Sequence, residues 1–254
     1  MHQALAALIA VSLTSCALAQ EAPLMPPTSD PVSFSAVGED APGLEGVLSI
    51  PRRPDAQTRV SGVVVCHPNP MMGGTMNDPV MLEIEDRLLD LGIAVLRFNF
   101  RGTGASEGEH GAGEIEADDV LGAVAFLRAQ EAVDAERVAV AGYSFGSLMA
   151  VQAAARDEAI AAVACIGFPT GQDLVRAADF PWLANLTRPF LFVTGTADEF
   201  SSVANIMALR EHYALNARVL PIEGGDHFFT DAAMRSRMGI EVAQFLSVQL
   251  LGEL

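Results

Sequence analysis

"RVAVAGYSFG", residues 137–146, decides how this 254-residue chain is read. Val138-Ala139-Val140-Ala141 is a short apolar run of the kind that forms a buried strand, and it ends abruptly at Gly142-Tyr143-Ser144-Phe145-Gly146. Residues 148–155 then continue with the composition of a helix. A strand that turns directly into a helix, with G-x-S-x-G at the corner, holds its serine on a strained turn with the hydroxyl exposed. The positions two before and two after that serine must be small so that helix and strand can cross closely, and Gly142 and Gly146 meet that need.

Outward from this corner the chain alternates. Short β-branched apolar runs recur at about 45–50, 60–66, 93–98, 137–142, 160–167, 189–194 and 217–222, with helical patterns between most of them. The spacing predicts helices over 78–91, with Val80, Ile84, Leu88 and Leu91 on one stripe, and over 114–130, with Ile115, Val120, Val124 and Leu127. This rhythm defines an α/β protein: a mainly parallel, twisted sheet with helices on both faces. Glu114, Glu116, Asp118 and Asp119 fit the positive end of a helix dipole and are read as a helix start, not a metal site.

A serine nucleophile needs a base, and the base needs an acid to orient it. "PFLFVTGTADEF" (189–200) puts Asp198 just past one strand, and "RVLPIEGGDHFF" (218–229) puts His227 just past the next. Glu199 and Asp226 compete for the acid role, with Asp198 favoured because it stands at the expected turn. Among the other histidines, His2 lies in the N-terminal apolar segment, His67 and His110 precede the serine, and His212 falls within a predicted helix. The order Ser144, Asp198, His227, with both partners at the carboxyl ends of strands, is that of α/β-hydrolases.

"HPNPMMGGTMND", "VLRFNFRGTGASEGE", "AVAGYSFGS", "VTGTADEF" and "GGDHFF", spread within residues 63–229, together resemble the small bacterial α/β-hydrolases related to the dienelactone hydrolase branch. The resemblance implies the α/β-hydrolase fold and a Ser-His-Asp triad. Two departures stand out: Ser144 occupies the place where dienelactone hydrolases use cysteine, and His67-Pro68-Asn69-Pro70 stands where relatives often carry HPHP. In that fold the loop after the 60–66 strand supplies one oxyanion-binding amide, and the residue after the nucleophile, here Phe145, supplies the other. Pro68 and Pro70 have no N–H, which leaves Asn69 as the donor among the three. His67 is read as a structural tie for this loop. Arg101-Gly102-Thr103-Gly104 lacks the lysine of a phosphate loop and is likewise structural. The twenty residues 168–187, where other hydrolases insert a large cap, imply only a minimal lid carrying Phe168, Phe180, Pro181 and Trp182, with ordinary core packing as the equal alternative for these aromatics.

Fifteen Lys+Arg against 32 Asp+Glu give a formal charge of −17, which argues against nucleic acid and anionic membrane surfaces as partners. Residues 1–19 read as a signal peptide: 4–11 are wholly apolar, too short to span a bilayer, and Ala17-Leu18-Ala19 forms an A-x-A cleavage pattern, although Met1-His2-Gln3 lacks a basic residue. Export to the periplasm or medium is therefore expected. Leu13-Thr14-Ser15-Cys16 offers the alternative of a lipid anchor on Cys16. Residues 20–31 read as a linker and 32–254 as one hydrolase domain. Cys66 and Cys165, each in an apolar run, are expected to be buried and unpaired.

The sequence thus leads to a serine hydrolase that cleaves an ester or related acyl bond of a small molecule, without metal or cofactor. A peptidase or amidase on the same triad, and a non-catalytic binding protein of the same fold, are the alternatives.

Overall fold

The computed structural model describes residues 24–252 apart from Leu174. The expected signal peptide, Cys16 and the start of the expected linker lie outside the described residues.

One eight-stranded sheet organises the molecule. Its strands are β1 (Thr28–Ser35), β2 (Gly43–Ile50), β3 (Val60–Cys66), β4 (Ala94–Phe98), β5 (Val133–Tyr143), β6 (Val163–Ile166), β7 (Phe190–Gly195) and β8 (Ala217–Ile222). The order is β1-β2-β4-β3-β5-β6-β7-β8, antiparallel through the first three and parallel from β4 to β8. The helices are α1 (Pro79–Asp90), α2 (Ala117–Arg128), α3 (Phe145–Arg156), α4 (Val203–His212) and α5 (Ala232–Leu251).

Alternation within β3 shows why the apolar runs are continuous. Val64 and Cys66 pack into a core built with α2, α3 and α4, while Val63 and Val65 pack into a second core built with α1 and α5. Both faces of the strand are buried, so the run from Val63 to Cys66 is apolar on both sides. Each fully buried valine of this run contributes about 1.5–3 kcal/mol relative to exposure.

Several expectations need correction. Order begins before Val32: β1 starts at Thr28, inside the expected linker, and Met25 bridges to Arg53. Its polar, mostly exposed residues hide it from a hydrophobicity reading, and Pro31 is tolerated because β1 is an edge strand. Ile115 is no part of the α2 stripe; it precedes the helix and is exposed. His212 lies in a helix as expected, but as the last residue of α4 and not at its middle. Of the acidic group, Asp118 and Asp119 do occupy the first turn of α2, but Asp119 is buried and accepts from the backbone N–H (3.0 Å) and Nε (2.8 Å) of Arg101. Glu116, also buried, accepts from the amides of Gly111 and Gly113. These carboxylates fasten the loop after β4.

The 168–187 segment does not roof the sheet. Phe168, Phe180 and Leu183 are buried in the α3-side core, with Phe168 edge-on to Phe192 (centroids 5.4 Å). Its short 3-10 turns, Ala177–Asp179 and Pro181–Asn185, carry this packing at the flank of the domain.

Candidate active site

Ser144 stands between β5, at the middle of the sheet, and α3, with φ 52° and ψ −119°. Two close approaches force this geometry. A Cβ on Gly142 would fall on the carbonyl of Gly146, and one on Gly146 would fall on the carbonyl oxygens of Cys66 and His67. The serine N–H donates to the Ile166 carbonyl (2.8 Å), and the Ser147 hydroxyl donates back to the Ser144 carbonyl (2.5 Å). The strained turn is thereby fixed at both ends.

The loops after β7 and β8 bring the acid and base to this corner. His227 Nε2 lies 3.0 Å from Ser144 Oγ, and His227 Nδ1 lies 2.8 Å from Asp198 Oδ2. The other Asp198 oxygen accepts from the amides of Phe200 (2.7 Å) and Ser201 (2.8 Å), so the carboxylate is held on both sides. With Nδ1–H donated to Asp198, Nε2 is left as an acceptor for the serine hydroxyl. Of the competing acids, Asp226 turns away to accept from the N–H and hydroxyl of Thr230, and Glu199 is exposed. The Tyr143 hydroxyl, buried beside the serine, donates to the backbone carbonyl of His227 (2.8 Å). Burial, and then the nearby carboxylates, raise the tyrosine pKa, so it remains a neutral donor.

Beside Ser144, the amides of Asn69 and Phe145 donate to no protein acceptor among the described residues. The second belongs to the first turn of α3, where the helix dipole favours negative charge. Asn69 has φ −54° and ψ 118°, and its side-chain oxygen accepts from the Met71 amide (2.8 Å), capping the 3-10 turn Pro70–Met72. His67, fully buried, ties the loop on the other side. Its Nε2 accepts from the Phe100 amide (3.0 Å), so Nδ1 carries the proton and donates to the Pro68 carbonyl (2.7 Å). Burial lowers its pKa to about 4, which keeps the ring neutral.

A cleft of about 120 Å³ opens over Ser144 and His227, walled on the β3 side by Asn69, Met72 and Asp78 and on the β8 side by Phe200 and Phe228. A wider groove of about 640 Å³, lined by Pro27, Arg52 and Arg87 among others, lies away from these groups. Phe200, Phe228, Met72, Asp78 and Tyr143 were not singled out by the sequence. Only Tyr143 carried a signal, its place inside G-x-S-x-G. Among the described residues, no group of three His, Cys, Asp or Glu side chains could hold a metal ion, and no helix is long and apolar enough to cross a membrane.

A serine at a strand-to-helix corner, with a histidine and a carboxylate delivered by the two following strands, defines the α/β serine-hydrolase class. The chain belongs to the alpha/beta hydrolase family, whose domain model matches residues 63–248. It is similar to the uncharacterized protein RP471 of Rickettsia prowazekii, 31% identical over 173 residues, 65% of this chain and 71% of that protein. The crystal structure of XC6422 from Xanthomonas campestris, described as an a/b serine hydrolase without lid, is 29% identical, with a TM-score of 0.68 over 89% of this chain and 96% of that one. ATU1826 of Agrobacterium tumefaciens, a putative α/β hydrolase of unknown function, is 28% identical with a TM-score of 0.72 over 89% and 98% of the two chains. A dienelactone hydrolase from Anabaena variabilis, 20% identical, shares the fold (TM-score 0.70, covering 89% and 100%).

Proposed function

We propose that this chain is a serine esterase that cleaves a carboxylic ester, or a related acyl bond, through an acyl-enzyme. The observation that carries the reading is the continuous relay from Ser144 Oγ through the His227 ring to Asp198, with contacts of 3.0 and 2.8 Å. In this reading His227 Nε2 takes the serine proton as Oγ attacks the carbonyl carbon. Asp198 holds the ring and stabilises the imidazolium, and the proton passes to the leaving alkoxide. Water then repeats the sequence on the acyl-serine. The unpaired amides of Asn69 and Phe145 supply the oxyanion hole, each donor being worth on the order of 10²–10³ in turnover.

The narrow cleft and its two phenylalanines support short acyl or aromatic esters over long lipids. An export route through residues 1–19, with cleavage after Ala19, completes the proposal; a lipid anchor on Cys16 is its variant.

p-Nitrophenyl esters of graded chain length, assayed beside peptide amides, test the reading. Turnover of acetate and butyrate esters, falling with longer chains and absent in Ser144→Ala, is expected. Faster cleavage of amides than of esters would overturn it in favour of a peptidase.

A further inference from the structure

The cleft over Ser144 has one ionisable wall that the proposed reaction does not use. Asp78, the N-cap of α1, contributes to the lining beside Asn69, and its Oδ1 accepts from the Val80 amide (2.9 Å). Its carboxylate forms no ion pair among the described residues, and no Lys or Arg lines the cleft. The cation acting on it, Arg235 of α5, is engaged elsewhere, its Nη1 donating to the Phe229 carbonyl (2.9 Å). Burial outweighs Arg235 and raises the Asp78 pKa, as for a carboxylate whose charge is incompletely compensated.

The aromatic wall belongs to the same argument. The sheet order puts the loop after β3, which carries Asp78, on one side of Ser144, and the loops after β7 and β8 on the other. Phe200 and Phe228 remain 41% and 54% exposed there, with ring centroids 4.7 and 5.4 Å from that of His227. Aromatic faces attract cations and do nothing for carboxylates. A formal chain charge of −17 adds a long-range bias of the same sign.

We propose that Asp78 sets the charge preference of the cleft, selecting acyl substrates that carry an ammonium group near the scissile bond and rejecting those that carry a carboxylate there. The inference rests on the serine esterase reading. A unit charge in the wall of a half-exposed cleft changes relative rates by about fivefold to tenfold.

Three acetate esters of matched size test it: one with a trimethylammonium group, its neutral tert-butyl isostere, and one with a carboxylate. For the wild type, kcat/KM is expected to fall in that order, with the cation-to-anion ratio tenfold or more and shrinking as salt is added. Asp78→Asn keeps an oxygen for the Val80 amide and is expected to lower that ratio about fivefold to tenfold. Asp78→Glu, which keeps the charge, should retain most of it. Equal rates for the three esters in the wild type, or an unchanged ratio in Asp78→Asn, would overturn the assignment while leaving the esterase reading intact. Failure of the wild type to hydrolyse even the neutral ester would overturn that reading and this inference with it.

Discussion

The hydroxyl of Tyr143 donates to the backbone carbonyl of His227 across 84 residues of sequence, at 2.8 Å. The residue just before the nucleophile thus anchors the loop that carries the base. Such a bond fixes where the imidazole sits without touching its ring, which makes Tyr143 a positioning residue.

Tyr143→Phe should therefore leave the His227 carbonyl without its donor, at a cost of about 1 kcal/mol in stability. The kcat for an ester should fall roughly threefold to tenfold, with KM little changed, because the loss is in the alignment of the base. Steady-state kinetics beside a urea melt would check both parts. A purely structural role predicts the stability loss alone.

Asn69 offers a sharper separation. Its φ of −54° suits a proline ring, and ψ of 118° already suits a residue before proline, so Asn69→Pro can delete the amide donor with little distortion. Turnover should fall by on the order of 10²–10³. Asn69→Ala keeps the amide but loses the cap on Met71, and should cost about 1 kcal/mol in stability with less than tenfold in kcat. Equal losses of kcat in the two variants would transfer the oxyanion contact to the side chain.

His67 makes a prediction about pH. Its folded pKa of about 4 lies below the usual 6.5, so the unfolded chain binds the extra proton between these values and stability falls as pH drops through that window. The contribution is fully present above pH 6.5, and its loss approaches about 3 kcal/mol near pH 4. Urea melts from pH 7 to pH 5 should show a steeper decline in the wild type than in His67→Gln. Parallel declines would mean that the ring is protonated in the folded protein.

The strand order bears on the cysteines. Gly142 of β5 pairs with Cys66 of β3 on one side and Cys165 of β6 on the other, so the two backbones lie roughly 9–10 Å apart, beyond the ~7 Å limit for a disulfide. Both thiols are buried, which pushes their pKa values up. Denatured, unreduced protein covering the described residues should titrate two thiols there, and folded protein none. A disulfide found after denaturation would contradict the order of the sheet.

The parts of this architecture that the sequence made visible are those written in apolar runs. Seven of the eight strands announce themselves by apolar, β-branched runs, most plainly where both faces are buried, as in Val63-Val64-Val65. β1 does not, since an edge strand with Pro31 and four hydroxyl residues has no buried face to advertise. Ser144, Asp198 and His227 were legible because each follows a recognisable strand. Asp78, Phe200 and Phe228 were not: their meeting depends on the crossover that sets β3 and β7 on opposite sides of β5, which no local pattern records. The aromatics of 168–187 left lid and core packing open for the same reason, since composition cannot say that Phe168 and Phe180 turn into the core and away from the cleft.

The central claim is that Ser144 is an activated nucleophile, and covalent labelling tests it most directly. Folded protein treated with a fluorophosphonate, then digested and analysed by mass spectrometry, should carry one adduct per chain, on Ser144, and Ser144→Ala should carry none. Folded wild-type protein that stays unlabelled, or that is labelled on another residue, would contradict the account.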